Sequence, residues 1–299
     1  MKFDKKRILK KFSYTTLIVL GALMTSAYVL RSVYAISLFE GMQKMAGTAG
    51  WKETDSDSVV QVGEGMTFEA SYLFFKIGAV NFKVLGKTTY DGCVAYRLQS
   101  YIESYSGVPF VNLHATYDTY ADSSTLMCLS TSNTVKDGNS WFFTKTQFDF
   151  AKKVVNWTQA KDGKQISAIT IPFHRNYTDG VSFFYYLRRA CRLAGGKRTS
   201  LNIPIIVDTT RSSVDLTIDE KTEPCRVEAF KYPIESNRVS GHINFTGFFG
   251  VTGNFVGWIS ADPGEVPLKA DVNVILGSVV VKLKSIDKTG WYPPRATGG

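Results

Sequence analysis

The chain has 299 residues, 44% of them hydrophobic and 13% aromatic, with a formal net charge of +9. That charge does not point to nucleic acid. Residues 1–35 hold seven Lys/Arg against a single acid, Asp4, which leaves +3 on residues 36–299, too little for a polyanion-binding face. The remainder is long enough for one large β domain or two small ones, and its Phe and Tyr content suits strands and apolar cavities.

The chain opens MKFDKKRILKK, continues through Phe12–Leu30 without a charge, and then reads RSVYA. A basic start, an apolar run and small residues near a cleavage point describe a secretory signal. Val33 and Ala35 take the small positions if cleavage follows Ala35. The run also approaches the roughly 20 residues that a bilayer-spanning helix needs. Residues 1–35 are therefore either a signal peptide or an N-terminal hydrophobic helix that anchors the chain through residues 12–30. Both readings export residues 36–299, because the Lys/Arg cluster stays in the cytoplasm. Residues 36–58 mix Gly, Ser, Thr and acids without a sustained period and read as a linker.

From Val59 the pattern changes to alternation. MTFEASYLFFKIGAVNFKVLGKTTY reads as two strands broken near Gly78. Asp91-Gly92 follows as a tight hairpin, since both residues tolerate positive φ. CVAYRLQSYIES is a strand, and LHATYDTYADSSTLMCLSTSNT gives two around a polar turn. SWFFTKTQFDFAKKVVNWTQAKDGKQISAITI offers two or three more, with turns at 151–153 and at Asp162-Gly163. Further strand patterns run to SVVVKLKSID, about a dozen in all, as in antiparallel meanders. The expected domain spans 59–289, with 290–299 as a tail.

One segment breaks the alternation. TDGVSFFYYLRRACRLAGG predicts a helix over 179–193, capped by Asp179 and stopped by Gly195-Gly196. Phe183, Tyr186 or Leu187, and Ala190 share a side, so Phe183 and Leu187 are expected to be buried. Arg188, Arg189 and Arg192 fall in the last turns, where the helix dipole favours cations. With Phe183, Phe184, Tyr185 and Tyr186 together, the helix carries too many aromatics for one narrow stripe. It either fills the mouth of a curved sheet or packs on the sheet's outer face.

Catalytic patterns do not emerge. There is neither a G-x-S-x-G elbow nor an H-E-x-x-H pair. Asp118 and Asp122, and Asp262 and Glu265 around Pro263-Gly264, are acids of the kind that bond their own turns. His114, His174 and His242 stand apart, so neither a metal nor a cofactor is expected. Cys93, Cys128, Cys191 and Cys225 permit two disulfides in an oxidising compartment. Cys93–Cys128 and Cys191–Cys225 are the simplest pairing, and free buried thiols are the alternative.

Three stretches resemble a family. GEGMTFEASYLFFKIGAVNFKV (63–84) is similar to the opening of the bacterial exported family known as domain of unknown function 3108. DGVSFFYYLRR (179–189) resembles its Asp-x-hydrophobic-Ser-x-x-Tyr-Tyr-Leu-Arg helix, and GWISADPGEVPLKADVNVILGSVVVKL (257–283) resembles its closing hairpins. The resemblance implies a periplasmic protein of a Gram-negative envelope: all-β, a large curved antiparallel sheet or open β-barrel with one helix against its concave face. The architecture resembles that of outer-membrane lipoprotein carriers. No activity comes with the family, and a fold does not settle function. The expectation is therefore a non-enzymatic envelope protein that binds an apolar ligand, a lipid or a lipidated partner, in a sheet cavity. Phe183, Phe184, Tyr186 and Trp258 are the candidate ligand contacts. The alternative is an inner-membrane-anchored assembly factor that presents a sheet surface to another envelope protein.

Overall fold

The computed structural model describes residues 59–108, 112–245, 251–274 and 277–296. The expected signal or anchor at 1–35 and the linker at 36–58 lie outside the described residues. Among the described residues no helix is long and apolar enough to cross a membrane.

The described residues form fourteen strands in chain order. The first eight are β1 (Gly65–Tyr72), β2 (Phe75–Tyr90), β3 (Cys93–Ser104), β4 (His114–Asp122), β5 (Cys128–Asp137), β6 (Ser140–Asp149), β7 (Val154–Lys161) and β8 (Lys164–Pro172). The helix α1 (Gly180–Ala194) comes next. The chain then forms β9 (Thr199–Val207), β10 (Thr210–Cys225), β11 (Ile234–Ile243), β12 (Val251–Ser260), β13 (Pro267–Val274) and β14 (Gly277–Asp287). All join one antiparallel sheet in the order β8-β7-β6-β5-β4-β3-β2-β1-β14-β13-β12-β11-β10-β9.

The turns expected from Asp-Gly pairs are present. Asp91 and Gly92 have φ of 49° and 78°, and Asp162 and Gly163 have 47° and 80°, the left-handed pair that a type I′ hairpin requires. The break expected near Gly78 lies elsewhere. The chain turns at Leu73 (φ 54°), and Gly78 sits inside β2 opposite Ser104. A Cβ at Gly78 would meet the Glu103 carbonyl oxygen at 2.4 Å. This glycine serves the close approach of two strands, not a turn.

The helix is the element that its sequence announced. The Asp179 carboxylate accepts from the Ser182 N–H while Ser182 Oγ accepts from the Asp179 N–H, a reciprocal capping box. Gly195 ends the helix in the left-handed conformation, its N–H donating to the Arg192 carbonyl. Val181 and Tyr185 pack with Val84, Leu98 and Ala115 of β2–β4. Ala190, Cys191 and Ala194 pack with Ile203, Leu216 and Ile259 of β9, β10 and β12. One helix thus touches strands far apart in the sheet order, so the sheet curls around it and α1 lies on the concave face.

The sheet's two edges do not pair with each other. The segment before α1 instead links the edge strand β9 to the start of β5. The Tyr177 carbonyl accepts from Cys128 N–H, and Thr178 exchanges hydrogen bonds with Pro204 and Ile206 of β9. Residues 290–296 also pack on the domain: Arg295 bridges Ile234, and its guanidinium stacks 4.4 Å from the Tyr232 ring.

Of the two alternatives for the cysteines, a pair of disulfides or free thiols, the structure holds the second. All four cysteines are free. Cys93 is half-buried at the start of β3, whereas Cys128, Cys191 and Cys225 lie in three separate apolar clusters. Burial pushes the Cys128 and Cys191 thiols well above the ordinary range and the Cys225 thiol to about 11.

Candidate ligand-binding site

The concave face has a floor and an opening. Along β2 the inward side chains run from buried Val84 to half-buried Phe82 and Val80. Along β3 they run from Leu98 to Ile102, along β13 from Leu268 to Val272, and along β14 from Leu283 to Val281. In each strand the sealed end is the one near Glu64, and the half-exposed end is the one near the β1–β2 turn.

Three of the four candidate contacts belong to this concavity. Phe184 is wedged into the packing. Its ring stacks on Phe82 at 3.9 Å and meets Phe68 edge-on at 5.8 Å. Phe183 is half-buried against the β9–β12 cluster, and Tyr186 is half-buried between that cluster and the one under β2–β4. Leu187 is half-buried as well, so neither Phe183 nor Leu187 is the sealed core residue that periodicity suggests. The fully sealed aromatic is Tyr185.

Trp258 is on the other side of the sheet. Its neighbours Gly257 and Ile259 face inward, so the pleat turns Trp258 outward. There its indole N–H donates to Glu223, and Lys269 sits 4.3 Å from its ring. It lines an outer cleft of about 440 Å³ with Arg226, Lys269 and Lys282. It shares with Phe184 the apolar cluster around Leu268 and Leu283, but it does not join Phe183 and Tyr186.

What sequence reasoning missed is the charge in the floor. Arg188 and Arg189 are not solvated dipole partners: they are 0% and 7% exposed. Arg188 Nη1 donates to Glu64 Oε1 at 2.5 Å, and Nη2 donates to Glu64 Oε2 and to the Val59 and Gly264 carbonyls. Its Nε donates to the Glu265 carbonyl at 3.0 Å. Lys288 Nζ donates to the second Glu64 oxygen at 2.7 Å. Arg189 donates to the Ser124 carbonyl. A buried guanidinium survives only when paired and bonded in this way. The outcome is a clasp: one side chain of α1 holds the segment before β1, the β12–β13 turn and, through Glu64, the start of the C-terminal tail.

Acids at turns divide into two kinds. Asp122 behaves as its sequence suggested, accepting from the backbone and hydroxyls of Ser124 and Thr125. Asp262 accepts from Gly264 N–H and from the Trp291 indole. Glu265 departs from the rule. It holds φ 43°, and its Oε2 is buried without a hydrogen-bond partner among the described residues. Burial pushes its carboxyl up to about 8; Asp262 adds to the rise, and Arg192 and Arg188 oppose it. No group of His, Cys, Asp and Glu among the described residues could hold a metal ion. The concavity offers shape and apolar surface.

The sequence pattern of the family described as "Protein of unknown function (DUF3108)" matches residues 67–284, and the chain belongs to that family. Among solved structures, the chain is similar to a β-barrel-like protein of the DUF1849 domain from Brucella abortus. The match has a TM-score of 0.52 and 9% identity, and it covers 77% of this chain and 98% of that one. This likeness shows the fold alone. Weaker matches are a Bacteroides fragilis protein described as a candidate exported protein with YmcC-like fold, and a Parabacteroides distasonis candidate lipoprotein. Their TM-scores are 0.33 and 0.29, with 9% and 10% identity, covering 76% of this chain in each case and 97% and 96% of theirs. No curated protein matches the chain.

Proposed function

We propose that this member of the DUF3108 family is a non-enzymatic, exported envelope protein that holds an acyl chain in the concavity between α1 and the open end of the sheet. One observation carries the reading: the inward side chains at that end stay apolar yet half-exposed, above a floor closed by the Arg188 clasp. Phe183, Tyr186 and Leu187 supply the helix side of the surface, with Ile102 and Val135 opposite from β3 and β5. Concave surfaces of this composition are typical ligand containers. Export is supported by the basic cluster and uncharged run of residues 1–30.

Native mass spectrometry of the full-length protein released from its own membrane tests the reading. Wild type should carry a lipid-sized adduct. Phe183→Asp should lose it while circular dichroism stays unchanged. Wild type without an adduct, or an adduct that survives Phe183→Asp, would overturn the proposal.

A further inference from the structure

Antiparallel order sends alternate connections to alternate ends of the sheet. The end with the half-exposed lining therefore carries the connections after β1, β3, β5, β7, β9, β11 and β13. Their sequences fall into two groups. Tyr72–Phe75 reads YLFF, and the segments 105–113, 244–250 and 275–277 read YSGVPFVNL, NFTGFFG and ILG. None of these four contains a charged residue. Of the other three, two carry Asp162 and Asp208, and the third, Gly138-Asn139, directly follows Asp137 at the end of β5. The uncharged four are contiguous in the sheet, belonging to β4-β3-β2-β1-β14-β13-β12-β11.

The described tip in this group is exposed to a degree that folding does not explain. Leu73 is 68%, Phe74 94% and Phe75 70% exposed. Leu73 also holds a positive φ of 54°, where Gly or Asn would serve at lower cost. A large aromatic held in water at a turn tip contributes nothing to the core, and contiguous exposed apolar surface marks an interaction site. We propose that the Leu73–Phe75 tip docks on a lipid bilayer, entering the boundary between headgroups and acyl chains and setting the open end of the concavity against the membrane. The occupant is a bilayer because Leu73, Phe74 and Phe75 offer apolar bulk without a charge of their own, and the flanking Lys76 is paired with Glu69, the chemistry of interfacial insertion. The acidic connections on the other strands confine the contact to one arc of the rim. The inference rests on topology and exposure, and stands apart from whether the concavity holds an acyl chain.

The full-length protein in phosphatidylcholine vesicles brominated near the top of the acyl chains provides the test. Phe74→Trp and Asn139→Trp place a new indole on an uncharged tip and on an acidic one, with the same N-terminal residues in both. The extra emission of Phe74→Trp over the parent should be blue-shifted and quenched several-fold more than that of Asn139→Trp. Raising the salt should leave that difference unchanged. An unquenched signal at position 74 would overturn the proposal, whether red-shifted by water or blue-shifted against a second copy. Equal quenching of the two variants, or a difference that disappears at high salt, would overturn it too.

Discussion

At the end of the sheet where β1 begins, Arg188, Glu64 and Lys288 fill the floor with buried, hydrogen-bonded charge; at the end where β1 turns into β2, the inward side chains are apolar and half-buried. The floor is specified by direction. A guanidinium must meet a carboxylate and three carbonyls at once, and few other arrangements satisfy it. The opening is specified only by being apolar, which leaves it able to accept more than one shape. The contrast separates the part of the concave face that fixes α1 from the part that α1 leaves available.

Removing Arg188 should break the contrast most. Arg188→Ala leaves Glu64 buried with Lys288 alone and strips the Gly264 and Glu265 carbonyls of their donor. Losing one partner of a buried pair costs about 3–5 kcal/mol. Urea unfolding of the protein should show that loss, and Arg188→Lys should not rescue it, since an ammonium lacks the planar fork. A loss below about 1 kcal/mol, the range of an exposed pair, would mean that the clasp is ornamental.

Phe184 and Phe183 sharpen the comparison within one turn of helix. Phe184 stacks between Phe82 and Phe68, so Phe184→Ala should cost about 2–4 kcal/mol, toward the lower part of the range for large core deletions because the ring is half-buried. Phe183→Ala should cost clearly less. Equal losses in thermal or chemical unfolding would place both rings in the same environment and erase the distinction between wedge and lining.

Glu265 gives the floor a pH dependence of defined sign. Asp262, Arg188, Arg192 and the Cys191 thiol surround it electrostatically. Its carboxyl titrates near 8 in the folded chain, against an ordinary value of 4.5. Between those values the folded state holds a proton that the unfolded state has released. Stability from this group therefore falls as pH rises across that window, by at most about 1.4 kcal/mol per pH unit. The lowered carboxyls Glu69 and Asp122 act in the opposite sense, below the window. Unfolding free energies from pH 5.5 to 7.5 should slope downward in wild type and flatten in Glu265→Gln.

Much of this was legible in residues. Alternation gave the strands, Asp-Gly pairs gave two hairpins, and Asp179 with Gly195 bounded the helix. Gly78 misled because a glycine needed for close strand approach looks the same in sequence as one needed for a turn. Trp258 misled because its aromatic character does not say which face of β12 it takes. The clasp was hidden because Arg188 and Glu64 lie 124 positions apart, and arginines near a helix end read as solvated. Yet 63–84, 179–189 and 257–283, the stretches that carry the family resemblance, are the ones that Arg188 ties together through Glu64, Gly264 and Glu265.

The smallest effect belongs to Asp179, where sequence and structure agree. Its Oδ1 accepts from Ser182 N–H at 2.9 Å, and its Oδ2 accepts from Thr119 Oγ1 at 2.6 Å on β4. One carboxylate thus caps α1 and ties its first turn to the sheet wall, with Thr119 also bonded to Thr131 on β5. Asp179→Ala removes the cap and leaves a buried hydroxyl with one partner, which should cost about 1–2 kcal/mol. Asp179→Asn keeps an acceptor for Ser182 and offers Thr119 a donor that its hydroxyl can rotate to accept, so it should recover most of the loss. The urea midpoint should shift without a change in slope. If Asn recovers nothing, the charge of Asp179, rather than its capping geometry, holds the start of α1.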